Sequence, residues 1–505
     1  MKFHPFKILL FSVIVLLALY GLTHFSHRIT YDNGIYEEGF FINGVGLKYP
    51  TSETFFSEKG IEEEKEKSID ELIQNIEDVI PDTIEEDDTS SDQKPDSTQI
   101  PKPKVVKILN LKKIDTSKII RIDYPKNKMA FISEMDAFLN SENCRIIHYG
   151  DSQLEGDRIS AYLRHRIQKI YGGTGPGFIP IVQAYENISN DVSHSNNWFR
   201  YAYFDPTTKR FDHKKYGVFN SISRFTEGLY GVTDSLDLDS IPFSKASIQI
   251  FPPTKSYASN MQYTKIGLHY GNSLTPTSIK VYQDNNLITQ DSLINDGKYH
   301  NFQLLFQGTP QNLRYEFEGK ISPDFYGLTL DGQQGVALDN VAMRGGSGLV
   351  FATLDATNFK AMSQNLDPKL FIFQYGGNSI PYIKDSLEVR DYARYIKNHI
   401  KWVSRRCPES KILFIGPSDM STSINGHMQT YPLLPYLNNV LREEMNKNGI
   451  AFWSMYDAMG GENSMPYWVE QKLAATDYTH FAPSGTKIIS EHLFLALYLD
   501  LNQVE

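Results

Sequence analysis

Two stretches of the chain alternate short apolar runs with amphipathic helical runs. Residues 144–150 (CRIIHYG) are typical of a buried strand. The segment after them keeps its apolar residues at helical spacing until Gly172: Ile159, Leu163, Ile167 and Ile170. Residues 369–376 (KLFIFQYG) and 411–416 (KILFIG) are further apolar runs, separated by one helical face. This alternation predicts an α/β domain in which helices wrap a parallel sheet.

The rhythm changes between residues 186 and 335, where short runs alternate apolar and polar positions. Turn signals such as DNN and NDG separate these runs, which include ASIQIF, TKIGLHY, SIKVYQ and RYEFEG. The pattern predicts an all-β sandwich of jelly-roll type. Because α/β features resume at residue 336, we expect it to be inserted into the α/β domain, which comprises residues 118–185 and 336–505. Its aromatic residues raise carbohydrate binding as a hypothesis, with core packing as the role of most of them.

The N-terminus carries Lys2 and Lys7 before an apolar run at residues 8–22, which with its flanks has the length that crosses a bilayer. We expect residues 1–27 to form an uncleaved transmembrane anchor, because no small-x-small cleavage pattern follows the run. The positive residues should stay cytoplasmic, which sends the rest of the chain to the outer face. A cleaved signal peptide is the alternative.

Residues 28–117 are predicted to be a largely disordered extracytoplasmic tether. From about residue 51 the chain is rich in charge, serine and proline, as in EEEKEK and IEEDDTSSDQKPDS, and poor in aromatic residues. Such a composition buries too little apolar surface to offset the entropy of ordering. Residues 69–80 (IDELIQNIEDVI) have helical spacing and are compatible with one short helix.

The net charge of −10 at pH 7 gives no basic field to gather phosphates, so we expect no nucleic-acid partner. A neutral or carbohydrate substrate fits this charge better. Cys144 and Cys407 are too few for a disulfide framework, and no Cys or His pair has the close spacing of a zinc site. We expect both cysteines to be buried, and a single bridge between them remains open.

Two short motifs carry candidate catalytic residues. Ser152, in HYGDSQLEGDR, follows the first predicted strand at the beginning of a helix, where free backbone N–H groups can stabilise an oxyanion. It is a candidate nucleophile, and a helix N-cap is the alternative role. In ATDYTHFAPSG, Asp477 precedes His480 by three residues, which suits a carboxylate that orients an imidazole base. A capped surface turn would have the same pattern.

Two Gly-rich turns supply candidate oxyanion donors. Asn378, in FQYGGNSI, follows another apolar strand and would share the edge of a parallel sheet with Ser152. The alternative is an ordinary Asn in a turn. Residues 344–348 (RGGSG) form a second such turn, whose backbone N–H groups can also donate.

In this order, GDS, a Gly-rich turn, GGN and D-x-x-H resemble the SGNH (GDSL-like) hydrolases over roughly residues 107–505. The resemblance implies a flavodoxin-like, three-layer α/β fold and a catalytic triad of Ser152, His480 and Asp477. It also implies an oxyanion hole made by the backbone N–H groups of Ser152 and Gly348 and the side-chain amide of Asn378. Neither a metal nor an organic cofactor is required.

The chain departs from the family pattern at two positions. Gln153 stands where many members have Leu, and Ser379 stands where an acidic residue often follows the Asn. Neither change removes a chemical group from the proposed site.

A β domain inserted into such a hydrolase behind a membrane anchor looks like the bacterial peptidoglycan O-acetylesterases, and DNVAMRGGSG and GGTGPGF add to the similarity. This resemblance implies a single-pass acetylesterase of the bacterial inner membrane, with its catalytic domain on the periplasmic side. Its substrate would be acetylated peptidoglycan or another acetylated polysaccharide. Two alternatives remain, an acetyltransferase that uses the same triad and a catalytically silent glycan-binding protein.

Overall fold

The structure is a computed structural model that describes residues 10–11, 13–18, 27–30, 36–42, 45–48, 58–77, 114–227 and 237–503. The helices, numbered from the segment before the hydrolase domain, are α1 Glu58–Glu77, α2 Lys128–Leu139, α3 Arg158–Tyr171, α4 Ala356–Leu366, α5 Ser386–Ser404, α6 Leu434–Lys447, α7 Met455–Ala458, α8 Ser464–Glu470 and α9 Pro483–Leu501. The strands are β1 His27–Thr30, β2 Tyr36–Ile42, β3 Val45–Lys48, β4 Asn143–Gly150, β5 Gly177–Ile179, β6 Asp191–His194, β7 Phe199–Ala202, β8 Ser221–Arg224, β9 Ser244–Phe251, β10 Lys265–Gly271, β11 Thr277–Gln283, β12 Asn286–Leu293, β13 His300–Leu305, β14 Leu313–Gly319, β15 Asp324–Asp331, β16 Gly335–Ala342, β17 Pro368–Gln374, β18 Lys411–Ile415, β19 Ser421–Ile424, β20 His427–Thr430 and β21 Ala451–Trp453.

A parallel sheet forms the centre of the α/β domain, with the strand order β16, β4, β17, β18, β21. The strands β4, β17 and β18 are buried along almost their whole length, which explains their continuous apolar sequences. In chain order this is the 2-1-3-4-5 arrangement of flavodoxin-like sheets, as predicted. Gly150 at the end of β4 aligns with Ala342 on β16 and Gln374 on β17, so three strands end at one edge.

Helices cover both faces of this sheet and complete three layers. On one face, α2, α3 and α9 share a core with Ile146 and Leu338. On the other face, α4, α5 and α6 pack against Ile147, Phe371 and Phe414. The α/β prediction is therefore confirmed.

The inserted β domain consists of two antiparallel sheets that enclose a common core. One sheet has the order β13, β10, β15, β8, β7, with β5 paired to β15, and the other has the order β12, β11, β14, β9, β6. Every second residue of β9 and β14 is buried, so Ile248 and Phe317 face Leu268 and Phe325 of the first sheet. The predicted insertion is confirmed, although the antiparallel strands begin with β5, before the predicted boundary at residue 186.

Two glycines let the chain leave and re-enter the α/β domain side by side. Gly173 and Gly335 have positive φ angles of 109° and 94°. A Cβ atom on Gly173 would overlap the backbone of Val336, and one on Gly335 would overlap Gly173. The Val336 N–H donates to Gly172 O at 2.9 Å, and this bond holds the two connections between the domains side by side.

The segment before the α/β domain differs from the predicted tether. Strands β1, β2 and β3 form an antiparallel sheet, and α1 packs on the hydrolase core through Ile69, Ile73 and Ile76. These three residues recur about one helical turn apart and form an apolar stripe, which the hydrolase domain buries. The tether residues 78–113 lie outside the described residues.

The predicted anchor at residues 1–27 also lies mostly outside the described residues. Within the part of the chain that the structure describes, no helix combines the length and the hydropathy needed to span a membrane.

Cys144 and Cys407 are both buried and both free thiols. They belong to the cores on opposite faces of the parallel sheet, so they are not bridged. The expectation that both are buried is confirmed.

Candidate active site

Ser152 lies at the carboxyl edge of the parallel sheet, immediately beyond β4. It begins the 3₁₀ helix Ser152–Asp157, and α3 begins only at Arg158. The sequence predicted a single helix from Ser152 onward. The difference arises because Gly156 and Asp157 have left-handed backbone conformations, with φ of 66° and 63°, that interrupt the helix.

Ser152, His480 and Asp477 form a hydrogen-bonded chain. Ser152 Oγ lies 2.8 Å from His480 Nε2, and His480 Nδ1 lies 2.8 Å from Asp477 Oδ2. Asp477 Oδ1 accepts the backbone N–H groups of Thr479 and His480, each at 3.0 Å. This arrangement has the geometry of a nucleophile, a base and a carboxylate that orients the base.

The surroundings of Asp477 favour its ionised form. Burial acts to raise the pKa of Asp477, but hydrogen bonds from the His480 ring and from the N–H groups of His480 and Thr479 outweigh burial, so the pKa lies below its ordinary value. An ionised carboxylate next to Nδ1 keeps a proton on that nitrogen. His480 Nε2 is then free to accept the Ser152 proton.

Asn378 lies beside the nucleophile and is held by the neighbouring Gly-rich turn. Its Nδ2 donates to Gly346 O at 3.2 Å, which leaves the second amide hydrogen for another acceptor. Ser152, Asn378 and His480 line one small pocket. The structure therefore brings the predicted amide donor to the predicted nucleophile and base.

Gly348 does not join these residues, since it is absent from the described residues that line the pocket. A Cβ atom on Gly348 would instead contact Tyr375 and Ile396. The N–H of Gly346 donates within its own turn, to Met343 O at 2.8 Å. The geometry thus supports Ser152 and Asn378 as oxyanion donors more directly than Gly348.

No protein-family model matches the sequence, and no curated protein sequence matches it. Among solved structures, a peptidoglycan O-acetylesterase superposes with a TM-score of 0.56 at 19% identity, covering 76% of this chain and 99% of that chain. The chain has the SGNH hydrolase fold. Two family two carbohydrate esterases match less well. The one from Clostridium thermocellum, in complex with cellohexaose, has a TM-score of 0.22 at 11% identity and covers 51% of this chain and 93% of its own. The one from Cellvibrio japonicus has a TM-score of 0.22 at 12% identity and covers 62% and 100%.

Two residues that sequence reasoning did not select as functional hold the candidate site together. Gln153 Nε2 donates to Thr479 O at 2.6 Å, which ties the nucleophile turn to the loop of His480. Arg158 Nη2 donates to Ser152 O at 2.8 Å from the first turn of α3. One indication of the first contact was visible in the sequence, because Gln153 stands where many SGNH family members have Leu. Nothing in the sequence pointed to the second.

Part of the remaining wall of this small pocket is apolar, although Gln374 and Ser418 also line it. Met420 and Met455 line it together with Tyr375 and Pro417, and a Cβ atom on Gly377 would lie 2.9 Å from Met420 Sδ.

Proposed function

We propose that this chain is a membrane-anchored serine esterase that hydrolyses O-acetyl esters on a cell-wall or surface glycan. The single observation that carries the proposal is the hydrogen-bonded chain from Ser152 Oγ through His480 to Asp477. A serine at the edge of a sheet is common. Nucleophilic catalysis needs in addition an imidazole that is hydrogen-bonded to the serine and oriented by a third group, as in this chain.

In the proposed reaction His480 Nε2 accepts the Ser152 proton while Oγ attacks the acetyl carbonyl carbon. The tetrahedral intermediate collapses when His480 returns that proton to the sugar oxygen, which leaves as a hydroxyl group, and an acetyl-serine remains. His480 then deprotonates a water molecule, whose oxygen attacks the acetyl-serine. Acetate leaves, and Ser152 regains its proton.

Two donors are available for the oxyanion in this scheme, the backbone N–H of Ser152 and the free amide hydrogen of Asn378. Gly348, expected by resemblance to be the third, would need its turn to move toward the pocket. Loss of one such donor typically lowers kcat by about 10²- to 10³-fold.

The proposed substrate is an acetylated glycan, with peptidoglycan first. Support comes from the small pocket that Ser152 lines and from the solved peptidoglycan O-acetylesterase with which this chain shares its fold. The apolar N-terminal run would hold the catalytic domain at the periplasmic face of a bacterial inner membrane, within reach of the cell wall.

Hydrolysis is favoured over acetyl transfer by the exposure of the base. The side chains of His480 and Asp477 retain 31% and 51% of their accessible surface, so solvent water contacts the triad. A transferase needs water kept away from its acyl-enzyme.

Acetate release from O-acetylated peptidoglycan, acetylated xylan and 4-nitrophenyl acetate tests the proposal. The full chain is compared with Ser152→Ala, which should lose about 10⁴-fold or more of kcat. Ser484→Ala is the matched control, since Ser484 is an exposed serine at the beginning of α9. If Ser152→Ala were as active as the full chain on all three substrates, the proposal would be refuted. Acetyl transfer to an added sugar acceptor without acetate release would identify the transferase.

A further inference from the structure

A second cavity lies beside the candidate active site, where the inserted β domain meets the edge strand β16. Its walls include Tyr185, Arg200, Phe204, Ser221, Asn340 and Ala342. Ala342 aligns with Gly150, two residues before Ser152. The cavity therefore lies at the same edge of the parallel sheet as the nucleophile.

Arg200, on β7, lines this cavity without a hydrogen-bond or salt-bridge partner among the described residues. Its buried Nε atom has no acceptor, and its guanidinium group lies 5.6 Å from the centre of the Phe204 ring. Burial lowers the pKa of Arg200. Asp205 is the nearby carboxylate and attracts Arg200, and its Oδ1 accepts the N–H and the hydroxyl group of Thr207, at 2.9 and 2.6 Å. Arg200 is therefore attracted by a carboxylate without a direct hydrogen bond to it, which leaves its guanidinium N–H groups for another acceptor.

A second polar atom of the cavity also lacks a partner. Asn340 Nδ2 donates to Leu154 O at 2.9 Å, and this bond fixes the side chain, whereas the buried Asn340 Oδ1 accepts nothing from the described residues. The cavity therefore offers one cationic donor and one neutral acceptor. That pair matches a carboxylate next to a hydroxyl group.

The charges around the cavity are mixed, but the charge on its wall is positive. Arg158, Arg200 and Arg344 all act electrostatically on Tyr185, and Glu155 is the carboxylate that opposes them there. Glu155 is engaged by Arg344, at 3.0 Å from its Nε. Asp205 attracts Arg200 and Asp477 attracts Arg158, so these charges roughly balance. Among the described residues that line the cavity, however, Arg200 is the only charged one, and it favours an anionic group on the substrate.

We propose that this cavity, the Arg200 subsite, binds a carboxylate of the glycan next to the sugar that carries the acetyl group. The proposal rests on the esterase function proposed above and deepens it by naming the substrate as an acidic acetylated glycan. Arg200 binds the carboxylate, Asn340 Oδ1 accepts a hydroxyl group, and Phe204 and Tyr185 contact the sugar. The carboxylate comes either from a uronic acid ring or from a peptide attached to a muramoyl sugar.

The first experiment measures kcat/KM for acetate release from three oligosaccharides: a neutral acetylated xylo-oligosaccharide, an acetylated oligogalacturonate and an O-acetylated muramoyl-peptide oligomer. The full chain should prefer at least one acidic substrate to the neutral one. In Arg200→Gln this preference should fall roughly 10- to 100-fold, as expected for the loss of a charge-assisted hydrogen bond. Arg200→Lys, which keeps the charge without the two-pronged geometry, should fall between.

Arg210→Gln is the matched control, because Arg210 is an exposed arginine of the same domain that also lies over an aromatic ring, Tyr203. It should keep the preference of the full chain. The acidic substrate that loses its advantage in Arg200→Gln identifies the source of the carboxylate. Acetate release with no preference for either acidic substrate would overturn the subsite and leave the esterase intact.

The second experiment is independent of catalysis. In a Ser152→Ala background, calorimetry measures binding of unacetylated oligogalacturonate, of a muramoyl-peptide oligomer and of neutral xylo-oligosaccharide. We expect at least one acidic ligand to bind, and Arg200→Gln to weaken it roughly 10- to 100-fold. Binding of acidic ligands that Arg200→Gln leaves unchanged would refute the proposal. The melting temperature of Arg200→Gln should stay close to that of its parent, because Arg200 makes no hydrogen bond or salt bridge among the described residues.

Discussion

Asp151 is a buried carboxyl group directly before the proposed nucleophile. Its side chain accepts the N–H of Gln153 at 3.0 Å, yet only 6% of its surface is exposed. Burial raises the pKa of Asp151 to about 6, against the hydrogen bond from Gln153 and the attraction of His480. A carboxyl group with a raised pKa stabilises the folded protein below its unfolded pKa and loses that effect as the pH rises through its folded pKa.

We therefore predict that Asp151→Asn is increasingly stable relative to the unsubstituted chain as the pH rises from 4 to 6. The Asn retains an acceptor for Gln153 and cannot ionise, so the relative gain should approach roughly 3 kcal/mol and then level off. Thermal unfolding of both proteins between pH 4 and 7 measures this difference. A difference that does not vary with pH would show that Asp151 does not titrate in this range.

The residues of the site differ in how far sequence could predict them. Ser152, His480 and Asp477 were predictable because each lies in a short motif whose backbone turn positions the side chain. Arg158 and Arg200 were not predictable. The role of Arg158 depends on contacts that the folded chain makes, and the role of Arg200 depends on the lack of a hydrogen-bond partner among the described residues. Gly348 shows the limit of a motif, because a turn with three glycines does not specify which N–H faces the pocket.

At the scale of single elements, α1 shows what composition and spacing each reveal. The composition of the segment predicts a tether, because it is strongly charged, whereas the spacing at residues 69–80 predicts a short helix. Ile69, Ile73 and Ile76 lie on one face of that helix. Ile69 approaches Gly460, and Asp70 accepts the hydroxyl group of Tyr467. The surface that buries the stripe lies near the C-terminus. Local composition could not reveal it, whereas the alternating pattern of the inserted β domain was visible within each strand.

Ile76→Ala should destabilise the protein by about 2–4 kcal/mol, since Ile76 is fully buried between α1 and the hydrolase core. Gln74→Ala, on the exposed face of the same helix, is the control and should change stability little. Chemical unfolding followed by tryptophan fluorescence measures both. If the two variants unfold at the same denaturant concentration, α1 is not docked in solution.

At the scale of the whole molecule, buried charges join the two domains, in addition to the two chain connections at Gly173 and Gly335. Arg145 on β4 bonds Asp339 on β16 at 2.6 Å and also bonds Asp331 on β15 of the inserted domain. Burial raises the pKa of Asp339, against the attraction of Arg145. The sequence predicted that one domain is inserted into the other. It did not predict these ion pairs, because Arg145 lies within an apolar strand and its partners are nearly two hundred residues away.

Arg145→Met should therefore do more than remove one hydrogen-bonding group. It leaves Asp331 and Asp339 buried without their cation, which typically costs about 3–5 kcal/mol. The triple variant Arg145→Met, Asp331→Asn, Asp339→Asn removes the stranded charges and should recover part of that loss. The contacts of Arg145 with Asp331 and Asp339 hold the inserted domain, and with it the Arg200 subsite, in place relative to Ser152. The loss of kcat/KM in the single variant should therefore be larger on acidic oligosaccharides than on 4-nitrophenyl acetate. Melting temperatures and the two kcat/KM values test this, and a single variant as stable as its parent would show that the ion pairs do not hold the domains together.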